Sequence, residues 1–529
     1  MKKLIYLRLL PLMALILLAG CEGNFDELNL NSNKPISVPP SLLLTGILND
    51  MVDDLGQPGS DYEKWNQYFL INYDYYGNNQ YNFNSGKDKF STLKNVVKME
   101  EEAAKLYTDS VNPYSALGKF FRAYFFTQMS LQMGDIPMTE ALQGGTNLNP
   151  IYDSQKTVFL QSLKWLDEAN TDLAGLIKAS DSRLTGDIYF SNNLLKWQKT
   201  INAYRLRLLI HLSKKADDTD LNIKSQFASI LADPAKYPLM TGSEDNLQYT
   251  YIFPSNKYPE NPGSFGFNAL RENTSATYVG LLTKLMDPRV FVTAEPASAK
   301  ITAGTSPTSF SAFLGADPGE DLGIMYVKAN AGEYSLINRK HYYDTYTGEP
   351  NIQIGYPEMC FNIAEGINRG WAAKGASGTA EDYYKAGIVA SWASYGIPAS
   401  GTFTAYFIES GSPGSTAVYK SYPITTAFDS YYAQPSIQYT AGTSGLTQIL
   451  QQRYLALFRH SGLESYFTNR RTGIPNFTTG PGTGNSERIA KRFKYIATER
   501  TANTANYTAA LTSQFSGNDD INGVMWILK

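Results

Sequence analysis

Between Trp65 and Asn82 the sequence gathers an unusual density of rings and amides: Trp65, Tyr68, Asn72, Tyr73, Asp74, Tyr75, Tyr76, Asn78, Asn79, Gln80, Tyr81 and Asn82. Such a set can hold a sugar, whose C–H patches lie against ring faces while its hydroxyls bond planar amides and carboxylates. Gly77 marks a turn, and this many rings in a loop cannot all face a core. Trp65 and Tyr68, at i and i+3, are expected to pack against the helix behind the loop. That leaves Asn72, Tyr73, Tyr75, Tyr76, Asn78, Asn79 and Tyr81 as expected ligand contacts. Two smaller groups compete with them: Tyr258 with Asn261, Phe265, Phe267, Asn268 and Arg271, and His341 with Tyr342, Tyr343, Asp344 and Tyr346. Tyr258 and Tyr343 join the expected site from these groups.

Bond-breaking chemistry has no comparable signature. His211, His341 and His460 are each more than a hundred residues apart, and neither an H-E-x-x-H pair nor a G-x-S-x-G elbow occurs. The acids fall mainly in surface-type runs such as Glu100-Glu101-Glu102. A glycan-cleaving enzyme stays open as the alternative, because its two carboxylates can be distant in sequence. Asp317, Glu320 and Asp321 lack the spacing of an EF-hand, and Gly480-Pro481-Gly482-Thr483-Gly484 follows no strand, so neither a metal nor a cofactor is expected. Lys and Arg number 46 against 49 Asp and Glu, a net charge of −3 that leaves no basic excess for nucleic acid. The two cysteines, Cys21 and Cys360, exclude a disulfide framework.

The elements that position these residues begin after residue 40. Lys2, Lys3 and Arg8 precede an apolar run from Leu9 to Leu18, too short to span a bilayer, and Leu18-Ala19-Gly20-Cys21 looks like a bacterial lipobox. The expectation is a lipoprotein signal peptide over 1–20, lipidation of Cys21, a polar tether over 21–40 and one body over 41–529. Within that body, 41–235 reads as antiparallel amphipathic helices. Asn112 caps a helix opened by Pro113 and ended at Gly134, Ser154 precedes a second, and Asn193 a third. The part over 236–529 reads as loop-rich and mixed, with helices over 357–374, 381–394, 445–468 and 486–499 and loops over 397–414 and 472–484.

Tyr114-x-x-Leu117-Gly118-x-x-Phe121 resembles the opening of a tetratricopeptide repeat, although the rest of the repeat is not sustained. Further on, Glu358 to Ile363, Ala364-Glu365-Gly366, Arg369-Gly370-Trp371, Tyr383-Tyr384, Ala390-Ser391-Trp392 and Arg470-Arg471-Thr472-Gly473-Ile474-Pro475 form a spaced series. With Gly134-Asp135-Ile136-Pro137, the lipobox and the segment from Arg492 to Asn506, the series resembles the SusD/RagB family of outer-membrane nutrient-binding lipoproteins over nearly the whole chain. The resemblance implies a mainly α fold on a tetratricopeptide-like scaffold of helical hairpins. It also implies a lipid-anchored protein facing the cell exterior that captures an oligosaccharide or peptide for a partner TonB-dependent, SusC-like transporter. In the family, the region after the first helices contributes to the ligand site, which agrees with the ring-rich loop. The motif residues themselves read as scaffold: Glu365 as a buried ion-pair partner, Arg470 and Arg471 as caps on the helix that carries them, and Trp371 and Trp392 as core.

Overall fold

In the computed structural model the described residues are 37–52, 58–73, 77–265, 269–410, 417–459 and 461–529. Cys21, the expected signal peptide and most of the expected tether lie outside them, as do Tyr75, Tyr76, Phe267, Asn268 and His460. The chain from Pro40 to Lys529 folds as one unit.

The helices of the first part include α1 Pro40–Asp50, α2 Phe90–Leu106, α3 Pro113–Met133, α4 Gln155–Lys178, α5 Leu194–His211 and α6 Ile223–Ala232. The start of α3 follows from its sequence. The Asn112 side chain accepts the amides of Tyr114 and Ser115, and Ser115 accepts the Asn112 amide in return. Gly134, at a φ of 100°, ends the helix. Ser154 and Asn193 cap α4 and α5 by accepting the amides of Thr157 and Lys196. Neighbouring helices pack in chain order, α1 on α2, α2 on α3, α3 on α4 and α4 on α5. Phe120 of α3 lies 5.8 Å from Trp197 and 5.9 Å from Tyr204 of α5. Gly118 lets α2 approach α3: a Cβ there would fall 2.3 Å from the Glu100 carboxylate.

Among the described residues the strands form three antiparallel pairs, of which the first joins the two parts: β1 Phe69–Ile71 with β3 Glu272–Thr274, β2 Leu247–Tyr249 with β4 Asn351–Ile354, and β5 Ser400–Ser410 with β6 Val418–Ala427. The second part is otherwise helical and loop-rich. Its helices include α7 Leu322–Asn330, α8 Arg339–Tyr343, α9 Tyr356–Asn368, α10 Ala380–Ser394, α11 Thr443–Ala456, α12 Glu464–Thr472 and α13 Thr504–Phe515. α9 packs on α10, α11 and, across the two parts, α5. A buried charge network seals that junction. Arg207 Nε donates to Glu358 Oε1 at 2.8 Å, and Arg453 Nη2 reaches Glu358 at 2.9 Å and Glu464 at 3.2 Å. His211 joins through Glu464 at 3.1 Å; burial lowers its pKa, so it sits there as a core histidine.

Four expectations about elements and caps change. The segment 397–414, read as loop, holds β5, whose Phe403, Ala405 and Phe407 alternate with outward Thr402, Thr404 and Tyr406. The helix expected over 486–499 does not form. Its backbone bonds distant segments instead, Arg492 N to Ile521 O, Phe493 N to Gln132 O and Lys494 N to Asn84 O, and Asn485 to Glu487 have positive φ. The single helix expected over 445–468 is two, α11 and α12, because Arg459 and Gly462 adopt φ of 58° and 64°. Neither arginine caps its own helix: the Arg470 guanidinium bonds the carbonyl of Leu131 in the last turn of α3 and that of Lys491, and Arg471 donates to the Glu365 carboxylate and to Ser213.

Glu365 is fully buried between Arg471 and Arg369. Burial pushes its pKa up, but the two guanidiniums outweigh that and hold it at about 2. Trp371 packs on Phe227 and Trp392 on Tyr431, both in the core. Cys360 is buried too, and burial raises its thiol to about 12.

Candidate ligand-binding face

The β1–β3 register pairs Ile71 with Glu272, so the chain leaving β1 at Asn72 and Tyr73 runs beside Arg271, which enters β3. The Arg271 guanidinium lies 5.5 Å above the Tyr73 ring, and Tyr326 of α7 lies 5.8 Å from it at an interplanar angle of 34°. Tyr73 is 37% exposed and Tyr326 44%. Asp321 caps α7, which buries Met325 and leaves Ile324 and Val327 in solvent beside Tyr326. The result is an open aromatic platform with a cation on one face.

Side chains tie down Ile71 on one side of Tyr73 and residues 78–81 on the other. Asn79 Oδ1 accepts the Ile71 amide at 3.0 Å while its Nδ2 donates to the Ile71 carbonyl at 2.9 Å. Lys64 Nζ donates to Asn78 O at 3.0 Å, Trp65 Nε1 to Gln80 O at 3.1 Å, and the Tyr81 hydroxyl to Trp65 O at 2.8 Å. Asn72, Asn79 and Tyr81 are therefore interior, with Asn79 and Tyr81 serving the loop, while Tyr73 and Asn78 face outward. Tyr68 is buried as expected, stacked on Tyr454 at 4.8 Å, and Trp65 packs against Phe83 at 4.5 Å.

The other two expected contacts are also inside. Tyr258 lies fully buried under Gly348, where a Cβ would fall 2.3 Å from the ring. Tyr343 is buried and donates to Glu272 Oε2 at 2.8 Å. Both rings are large and apolar, and the loops 253–265 and 344–349 fold over them. Exposure passes to neighbours: Phe253, 53% exposed, stands 4.8 Å from Tyr346, and Lys257 Nζ lies 5.8 and 5.4 Å from their centroids. Phe253 and Tyr326 were not expected in the site. The available signal at Tyr326 is an apolar run, Leu322 to Val327, whose members do not fall on one helical stripe.

Behind the platforms, Arg459 Nε donates to Glu63 at 3.1 Å and Nη2 to Glu260, with all three side chains buried. Burial, and after it the charge of Glu260, push the Glu272 pKa well up. Among the described residues no His, Cys, Asp and Glu side chains group as a metal site. Asp321 instead caps α7, while Glu320 bonds Lys328 and Tyr334.

The family model for SusD-like proteins, described as "Starch-binding associating with outer membrane", matches residues 32–496. A SusD homologue from Bacteroides fragilis superposes with a TM-score of 0.78 at 31% identity, over 93% of this chain and 100% of its own. An outer-membrane protein of Bacteroides vulgatus, for which a role in nutrient binding has been suggested, superposes with a TM-score of 0.76 at 31% identity over the same shares. A chitin-binding SusD homologue from Flavobacterium johnsoniae shares the fold, with a TM-score of 0.68 at 20% identity over 93% of this chain and 98% of its own. No curated protein shows a significant match to the sequence.

Proposed function

The chain belongs to the SusD-like family of nutrient-binding outer-membrane proteins, and from that premise we propose that it captures an oligosaccharide on the two ring platforms and passes it to a TonB-dependent, SusC-like transporter. The observation that carries this reading is the exposure of Tyr73, Tyr326 and Phe253 on structured loops and a capped helix, with Tyr346 beside Phe253, in a protein that buries its other rings extensively. Rings held at the surface beside a paired strand and on a capped helix are pre-organised for stacking, so little ordering opposes binding. A carrier that must release its cargo needs no great affinity; dissociation constants of about a micromolar to a millimolar, or roughly −8 to −4 kcal/mol, are expected. Calorimetry against a panel of neutral and acidic oligosaccharides and peptides tests the ligand class. Binding of peptides alone would replace the sugar reading with a peptide one.

The reading is of capture without bond cleavage, so oligosaccharides incubated with the protein should be recovered intact. Any turnover that one carboxylate substitution abolishes would favour a glycan-cleaving enzyme instead. We also assign residues 1–20 to a signal peptide, Cys21 to lipidation and 21–40 to a tether, with the body divided near residue 235 into a helical-repeat part and a loop-rich part. No helix among the described residues is long and apolar enough to cross a membrane. Several acyl chains on Cys21 would then supply the attachment. Cys21→Ala should move the protein from the membrane fraction to the soluble one with its fold unchanged. Unchanged fractionation, with no lipid found on the wild-type protein by mass spectrometry, overturns the anchor.

A further inference from the structure

A cavity of about 270 Å³ lies where β2, β4, the end of α10 and the break between α11 and α12 meet. None of the four platform rings lines it. Phe458, buried and stacked on Tyr278 at 3.8 Å, and the half-buried Tyr395 line it, so a guest finds apolar surface there. Gln248, Glu349 and Arg459 supply polar groups around them, and Ser394 is exposed at the edge.

Arg459 is the informative residue. Its backbone sits in the left-handed region at a φ of 58°, a conformation that a long side chain adopts only when its surroundings impose it. Nε and Nη2 are committed to Glu63 and Glu260, while Nη1, equally buried, has no hydrogen-bond partner. A buried guanidinium N–H without an acceptor costs free energy that a guest oxygen would recover.

Charge narrows the guest. Glu349, which pairs with His341 at 2.5 Å, and Glu358 both line the cavity, with Glu63 and Glu260 behind Arg459. An anion would meet these carboxylates, and a bare cation would meet Arg459. An uncharged guest that has one apolar face and hydroxyls able both to donate to Glu349 and to accept from Arg459 meets neither penalty. The volume lies just below the ~300 Å³ at which pockets for drug-sized ligands begin, which suits one ring and not a chain.

We propose that this cavity is a second binding site, separate from the platforms, that holds a single neutral sugar unit between Tyr395 and Phe458 with its hydroxyls on Arg459 and Glu349. The test is saturation-transfer NMR and calorimetry on the full chain with D-glucose, D-galactose, N-acetyl-D-glucosamine and D-glucuronate as probes. At least one neutral monosaccharide should bind. Ser394→Trp, which fills the edge, and Gln248→Ala, which removes an amide from the wall, should each weaken it about tenfold or more. Ser394→Ala and the platform pair Tyr73→Ala with Tyr326→Ala should leave it unchanged, and glucuronate should not bind. If Ser394→Trp fails to fold, Gln248→Ala decides. The proposal is overturned if no neutral monosaccharide binds, if glucuronate binds as well as the neutral sugars, if folded Gln248→Ala and Ser394→Trp bind as wild type, or if the platform pair alone abolishes binding.

Discussion

Trp197 and Tyr73 show what a long helix and the chain leaving β1 do with the same kind of side chain. Trp197 is fully buried in α5, meets Phe120, Phe121 and Phe190 within about 6 Å, and donates its indole N–H to Asp187 at 2.9 Å. Tyr73 lies by the Tyr326 ring and the Arg271 guanidinium and keeps 37% of its surface in water. In the helical part, 3.6-residue periodicity turns rings inward on one stripe, and burial is their contribution. Beside β1, the Asn79 side chain bonds both backbone groups of Ile71, and the neighbouring Tyr73 ring faces out. Stability and recognition are thus divided between rings in different regions.

The sharpest way to break this division is Trp197→Ala, which opens a cavity and strips Asp187 of a donor. A loss of about 3–5 kcal/mol in urea unfolding is expected, with affinity retained by the protein that remains folded. Normal stability in that variant would show that the helical part does not depend on its rings.

The next effect is on pH. The folded pKa of Glu365, about 2, lies below the ~4.3 of an unfolded glutamate. Its contribution is therefore complete above about pH 4.3 and is lost as pH falls toward 2, amounting to about 3 kcal/mol. Unfolding free energies measured across that window should show the decline, and Glu365→Gln should flatten it at the cost of lower stability near neutrality. Ligand affinity measured at pH 7 should be indifferent to Glu365, since it does not border either platform.

Tyr73→Ala with Tyr326→Ala is the mirror of Trp197→Ala. Binding should weaken by about 2 kcal/mol or more in calorimetry, while the unfolding midpoint changes by no more than about 0.5 kcal/mol in equivalent stability. Normal binding in this pair would move the platform to Phe253 and Tyr346. The smallest effect expected is at Lys257, exposed above Phe253 and Tyr346, where Lys257→Ala should cost about 0.5–1 kcal/mol in affinity and nothing in stability. A gain in affinity there would show that the lysine competes with the ligand for the ring faces.

Local signals explain which expectations held. Asn112 with Pro113, Ser154 and Asn193 each marked a helix start because an N-cap bonds amides within three residues, a relation that sequence spacing expresses directly. The buried pairing of Glu365 was legible from its small neighbours Ala364 and Gly366 and from the family series around it. The segment over 486–499 failed because its partners, at Ile521, Gln132 and Asn84, lie tens to hundreds of residues away. In the ring-rich loop, residue type was informative but direction was not. Asn79 and Asn78 are adjacent amides of one kind, yet the first is buried on Ile71 and the second is exposed.

The sequence by itself determined the family, the mainly helical class, the capped helices of the first part and the region in which exposed rings would occur. Each of these depends on periodicity, capping or composition, which act over a few residues or over the whole chain at once. Only the tertiary structure decided which rings face water. Tyr81, Tyr258 and Tyr343 were covered, and Tyr326 and Phe253 left open, by contacts with segments distant in the chain. A tyrosine gains by burying its apolar face and by wetting its hydroxyl, so its own chemistry favours neither side, and the packing around it makes the choice.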